Sequence, residues 1–270
     1  SNVTFIDEDS KYNIVKVENK KKNGLQIFCD KIILCNGGLE SIRLILKSLK
    51  NKKIRNLKNK NYVGKFFMDH PKGYVGIIKY PKNDFLKKLE LKYYKNYLAY
   101  KGVSLSLEEQ RKNFFLNTYV RFEKKISSNF KILNFFSNKN NYFLKLFCEM
   151  EPRKSNDVKL DRSNNLVIKL ALSKKDIFTA NYLLKKIFNM FSNNYKNEKI
   201  INIKSKNLVD ASHHMGGLTY PYVVNKNLKF NGLKKVYCCT SAIFPTSGSA
   251  NPTLTICALA YRLAKHLNKI

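Results

Sequence analysis

The run Ile32-Ile33-Leu34-Cys35, entered from Lys31, leads straight into Asn36-Gly37-Gly38, and a helical pattern follows from Leu39 to Leu49. A short, uninterrupted apolar run reads as a strand buried on both faces. Strand, glycine turn and helix in that order form the unit of an α/β sheet, with backbone N–H groups and a helix N-terminus at the ligand crevice. The same grammar returns near the other end. Val236-Tyr237-Cys238-Cys239 reads as a second buried strand, and a loop rich in Ser, Pro and Gly follows from Thr240 to Ala250. Asn251-Pro252-Thr253 then opens a helix through about Leu267, with Asn as the N-cap and Pro at the first helical position. No GxGxxG occurs anywhere in the chain.

Between these ends the pattern changes to strands with hairpin-like loops, backed by helices. Ser1 to Asp7, Asn13 to Glu18 and Leu25 to Cys29 alternate as strands, with a turn at Lys22-Asn23-Gly24. Further strands are expected at Gly73 to Tyr80, Phe114 to Phe122, Tyr142 to Pro152, Asp157 to Leu160 and Asn165 to Leu172. Ser104 to Asn113 reads as a short helix in which Ser106 and Glu109 form a capping box. Ser173 to Phe191 reads as a long amphipathic helix with a serine cap. The expected fold is α/β plus α+β: a partial α/β domain over residues 1–72 and 206–270, and an antiparallel-sheet domain backed by helices over 73–205.

Charge narrows the function classes less than its size suggests. Lys and Arg number 51 against 19 Asp and Glu, a net charge of +32. Almost all of the positive charge is Lys, scattered in short pairs and accompanied by many Asn, Ile, Tyr and Phe, the residues that AT-rich codons encode. Nucleic-acid binders concentrate charge on one face and use Arg forks, so a solvated basic surface is expected, with no specific nucleic-acid partner. A non-catalytic basic remnant holding a polyanion, nucleic acid or anionic membrane, stands as the alternative. No run approaches the roughly 18–20 apolar residues of a membrane span. The six cysteines form no CxxC pair and no His sits at metal-ligand spacing from them. A reducing, cytoplasmic compartment and no metal are therefore expected.

The chemistry-bearing stretch is Asp210-Ala211-Ser212-His213-His214-Met215-Gly216-Gly217. Neutral imidazole can accept a proton near pH 7, and adjacent residues on an extended chain point to opposite sides, so at most one of the two histidines faces a given site. This run, followed by Phe244-Pro245-Thr246, Asn251-Pro252-Thr253 and an Ala-rich closing helix, resembles the C-terminal signature of the glucose–methanol–choline (GMC) oxidoreductases. Leu34 to Leu46 and Val63 to Pro71 resemble two earlier segments of that family, and Glu149 to Leu172 its substrate-domain strands.

The resemblance implies a glutathione-reductase-like FAD domain and an FAD-dependent enzyme oxidising an alcohol, with sugars and polyols as candidates and oxygen, a quinone or a protein carrier as electron acceptor. It implies His213 as general base during hydride transfer to flavin N5, and Asn251 as the group orienting the substrate oxygen. Asn36, Gly37, Gly38, Thr240 and Ser241 would line the flavin from one side, with Pro252 and Thr253 near its pyrimidine edge; the family usually has Gly or Asp where this chain has Thr240. Asp69 and His70 would be structural. The chain begins at Ser1 in mid-pattern, and it is expected to be the C-terminal portion of a longer protein whose phosphate-cradling segment precedes it.

Overall fold

The structure, a computed structural model, describes residues 2–8, 12–19, 24–79, 84–124, 141–192, 199–200, 203–204 and 207–269. Lys22 and Asn23 of the expected turn, and Lys20, Lys21 and Lys125 of the lysine pairs, lie outside them. The first strands, β1 (Asn2–Glu8), β2 (Asn13–Glu18) and β3 (Gly24–Cys29), form an antiparallel sheet in the order β1-β2-β3. Strand β4 (Ile32–Leu34) and helix α1 (Gly38–Lys50) follow. Helix α1 buries Ser41, Ile42, Leu44, Ile45 and Ser48 on one stripe, and the Ser48 hydroxyl accepts the Ile6 N–H at 3.0 Å, tying β1 to the helix.

The middle of the chain runs through β5 (Lys72–Lys79), α2 (Asp84–Leu89), β6 (Lys92–Tyr94), β7 (Tyr97–Ala99), β8 (Gly102–Ser104), α3 (Leu107–Asn113), β9 (Tyr119–Glu123) and β10 (Asn141–Phe147). Strands β11 (Asp157–Leu160) and β12 (Leu166–Lys169), helix α4 (Lys174–Ser192) and strand β13 (Lys199–Ile200) come next. Strands β13-β5-β10-β9-β8, in that order, make an antiparallel sheet. One face carries Val75, Val120, Phe122, Leu144 and Leu146 into a core with Ala180, Leu183, Leu184 and Ile187 of α4. That i, i+3, i+4, i+7 spacing is the stripe a helix needs to lie on a sheet. Ser106 caps α3, accepting the Glu109 N–H as the sequence required. At the start of α4 the Ser173 hydroxyl accepts the Asp176 N–H while Asp176 accepts the Ser173 N–H, a reciprocal cap of the same design.

The hairpin β11–β12 lies outside that sheet. Val158 joins the first core beside α1, and the Val158 N–H donates to the Gly64 carbonyl at 2.9 Å. Local alternation predicts a strand, but the sheet it joins is decided by long-range packing.

The chain closes with β14 (Val236–Cys238) and α5 (Thr253–Leu267). Strand β14 pairs in parallel with β4, Val236 opposite Ile32 and Cys238 opposite Leu34, so segments some two hundred residues apart share one parallel ladder. Only β14 is buried throughout. In β4, Ile32 and Leu34 are buried, but Ile33 is 43% exposed, so the expectation of cover on both faces fails: in three residues a continuous apolar run cannot reveal which face is covered. The fold is mixed α/β with antiparallel sheets.

Candidate functional site

The His-His-Met-Gly-Gly segment is clamped between two other stretches by backbone hydrogen bonds. On one side Met68 and Met215 exchange N–H···O bonds of 2.8 Å, and the Gly64 N–H reaches the Gly217 carbonyl at 2.7 Å. On the other side the Gly216 N–H donates to the Ser241 carbonyl and the Leu218 N–H to the Ala242 carbonyl. Both glycines are required by the closeness of this packing. Gly216 sits at φ +77°, where a Cβ would stand 2.0 Å from the Phe66 carbonyl oxygen; at Gly217, φ +92°, it would stand 2.3 Å from Ile42 Cδ1.

The two histidines diverge, as adjacent extended residues must. The His214 ring packs on Phe67 and its Nε2 lies 3.2 Å from Asp210 Oδ2. The His213 ring stacks on His70, centroids 4.5 Å apart and planes 15° from parallel. Its Nδ1 is enclosed without a partner among the described residues, and the ring is half-buried, so Nε2 is the nitrogen left to face a ligand.

Asp69 fixes the backbone under His213. Its carboxylate, fully buried, accepts the Ala211 N–H at 2.7 Å and the His213 N–H at 3.1 Å. Burial, then a hydrogen bond with Asp210, raises the Asp69 pKa. Burial also acts to raise Asp210, but hydrogen bonds from Asp69, the Ser212 N–H and His214 outweigh it and hold that carboxyl low. Of the two carboxyls, Asp69 is therefore the more readily protonated. His70, 1% exposed with both ring nitrogens unpartnered among the described residues, is pushed down to about 4 by burial first, then by His213 and Lys72. It presents a neutral ring to His213 at pH 7.

His70 also sets a pH dependence. Unfolded, its ring takes a proton below about pH 6.5; folded, it resists until about pH 4, so stability falls as the pH drops through that window. The expected loss is on the order of 3 kcal/mol by pH 4. Denaturant melts from pH 7 to 4 are expected to show a shallower slope for His70→Gln than for the wild type; identical slopes would remove His70 as the cause.

The residues singled out around a flavin fall into two groups. In the first, Gly38 lies against the His214 carbonyl and the Ser241 hydroxyl, where an added Cβ would stand 3.0 and 3.1 Å away, and Ser241 Oγ donates to the His214 carbonyl at 2.6 Å. Gly37 adopts φ +80° ahead of α1 with open space where a Cβ would go, and Asn36 Oδ1 accepts from Ser41 Oγ at 2.7 Å. Thr240 is buried, and its hydroxyl accepts the Ala242 N–H at the start of the 3-10 turn Ser241–Ile243. That local cap is what Thr supplies in place of Gly or Asp.

In the second group, Asn251 and Pro252 line a cavity of about 580 Å³ with Ser247, Tyr220, Asn117 and Arg262; Thr253, the first residue of α5, is exposed. Pro252, not Asn251, occupies the N-cap position of α5, and no side chain caps it. The Asn251 carboxamide is thus not engaged as the expected cap and remains at the cavity wall. His213 is not among the residues of that wall. The two groups are joined through Met150: its N–H donates to Ser247 Oγ at 3.0 Å, and the Asp69 N–H donates to its sulfur at 3.4 Å.

Among the described residues no cluster of His, Cys, Asp or Glu is arranged to hold a metal, and no helix is long and apolar enough to cross a membrane. All six cysteines are free.

Residues 152–260 match the family described as GMC oxidoreductase, in its C-terminal domain. Over that stretch the chain is similar to the C-terminal domain of the GMC oxidoreductases. The chain is also similar in fold to the pyridoxine 4-oxidase from Mesorbium loti, at a TM-score of 0.62 and 13% identity over 100% of this chain. The chain spans 57% of the length of that oxidase. No curated protein matches it by sequence. The matched GMC stretch contains His213 and Asn251, and it extends back to the β11–β12 hairpin that braces α1.

His70 is the residue that sequence reasoning undervalued, setting it aside as structural. Its signal was present in Asp69-His70-Pro71, but only the ring stack on His213 gives it a part in the site.

Proposed function

We propose that the whole protein is an FAD-dependent oxidoreductase acting on the CH–OH group of an alcohol, with sugars and polyols as the first candidates. FAD, when bound, accepts the hydride from the carbinol carbon. The described residues fit such a group. An open, glycine-lined ledge at Asn36, Gly37 and Gly38, with Thr240 and Ser241 behind it, offers backbone N–H groups at the α1 N-terminus, and Pro252 and Thr253 begin α5, whose positive end favours negative charge.

The chain itself supplies the proton acceptor and the orientation. His213 Nε2 takes the hydroxyl proton as the C–H bond breaks. Its ring plane is held by the stack on neutral His70 and its backbone by Asp69. Asn251 hydrogen-bonds the substrate oxygen with the carboxamide that no helix cap engages. The observation that carries this reading is the His213 ring itself: half-buried, stacked, with Nδ1 enclosed and Nε2 left for a ligand, on a ribbon locked to the Gly38–Ser241 ledge.

Full-length protein loaded with FAD and mixed anaerobically with primary alcohols, sugars and polyols is expected to lose its oxidised-flavin absorbance with at least one of them. A flavoprotein reduced by nicotinamide cofactors but by none of these alcohols would end the reading.

A further inference from the structure

The face of the five-stranded sheet turned away from α4 carries charges that the proposed alcohol oxidation does not use. Alternation along β9 and β10 puts Tyr119, Arg121 and Glu123 beside Phe147, Lys145 and Phe143 on this face, and pairing puts Tyr74 opposite Lys145. Among the described residues Glu123 is its one buried carboxylate, and it is over-subscribed. It takes Arg121 Nη2 at 2.7 Å, the Tyr74 hydroxyl at 2.8 Å and Lys145 Nζ at 3.6 Å. Two cations on one carboxylate leave a net positive charge on a half-buried surface.

The guanidinium is held ready. It lies 4.6 Å from the Tyr100 ring centroid and 4.5 Å from that of Phe147. Lys145 lies 5.1 Å from the Tyr74 ring. Aromatic walls fix both cations without neutralising them.

This face runs up to the His213 site. Strand β5 begins at Lys72, two residues after His70, and Lys72 pairs with Phe147. Lys72 is close enough to His70 to help depress its pKa. The Pro71 carbonyl accepts the Cys148 N–H at 2.9 Å. Just ahead of β9, Asn117 donates its N–H to Glu149 and lines the cavity that contains Asn251.

We propose that Arg121 and Lys145 form an anion-recognition subsite, so that the preferred substrate is an alcohol that also carries a carboxylate. The inference rests on the oxidoreductase reading for its reaction but not for its binding. A planar carboxylate suits the guanidinium, which presents flat paired donors, and a site built for a charged partner discriminates strongly against the analogue lacking it.

The test compares 4-(hydroxymethyl)benzoate with 1,4-benzenedimethanol, a rigid pair differing in one carboxylate, as probes of the full-length FAD-loaded protein. Dissociation constants are read by calorimetry and flavin reduction separately by absorbance. The benzoate is expected to bind at least about tenfold tighter than the diol, with the preference falling as salt rises. Arg121→Gln and Lys145→Gln should each cut the preference severalfold while leaving the affinity for the diol in place. Glu123→Gln, which frees both cations, should increase it. Equal affinity for the two probes, or a preference unchanged in both cation variants with unchanged melting temperatures, would overturn the subsite. Preferential binding of the benzoate without flavin reduction by either probe would uphold the subsite and count against the alcohol oxidation. Reduction by the diol without any preference would do the reverse.

Discussion

Replacing His213 with Ala is expected to slow anaerobic flavin reduction by the alcohol about 10²–10⁴-fold, the span associated with loss of a positioned general base. An alcohol C–H is a poor hydride donor until its O–H proton has somewhere to go. His213 keeps Nε2 free of the enclosure that holds Nδ1, on a ring that stacks at 4.5 Å on His70, over a backbone pinned by Asp69. The neighbouring His214 makes the internal comparison. It packs on Phe67 and bonds Asp210, so His214→Ala should slow reduction far less and act mainly through local order. Stopped-flow reduction of the two variants against wild type separates the roles. Equal losses in both would mean that the segment's shape matters and the imidazole at 213 does not act as a base.

Gly216→Ala is expected to destabilise the protein by about 3 kcal/mol or more in denaturant melts. Two costs combine there. The residue sits at φ +77°, which an L side chain adopts with a strain of roughly 1–3 kcal/mol. Its Cβ would also stand 2.0 Å from the Phe66 carbonyl oxygen, a backbone atom that cannot rotate away, and overpacking of this kind typically adds about 1–3 kcal/mol. The clash falls on the ladder that aligns 64–68 with 215–217, so FAD retention should fall along with stability. A loss under 1 kcal/mol would show that the two segments are less tightly apposed than their hydrogen bonds indicate.

The sequence carried the parts of this architecture that depend on local physics. Helix α1, the Ser106 cap and the long α4 follow from apolar spacing and capping chemistry, and they stand where the pattern put them. Features set by distant contacts were less legible. The strand character of β11 and β12 was readable, but not their place against α1, because alternation says nothing about which sheet or helix receives a strand. The open face of β4 was hidden, since Ile32, Ile33 and Leu34 are equally apolar yet only two are buried. Asn251 looked like a helix cap on local statistics; Pro252, already in helical conformation, takes that position and leaves the carboxamide at the cavity wall. His70 carried no periodic signal, since its partner ring lies 143 positions along the chain.

The most direct test of the central claim is a double-mutant cycle on flavin reduction, with His213→Ala, Asn251→Ala and the two combined. If imidazole and carboxamide act on the same substrate oxygen, their effects cannot be independent: the double variant should lose distinctly less than the product of the single losses, with a coupling of about 1 kcal/mol or more. Losses that simply multiply, within about 0.5 kcal/mol, are the behaviour of distant sites and would contradict the convergence of these two residues on one reacting group.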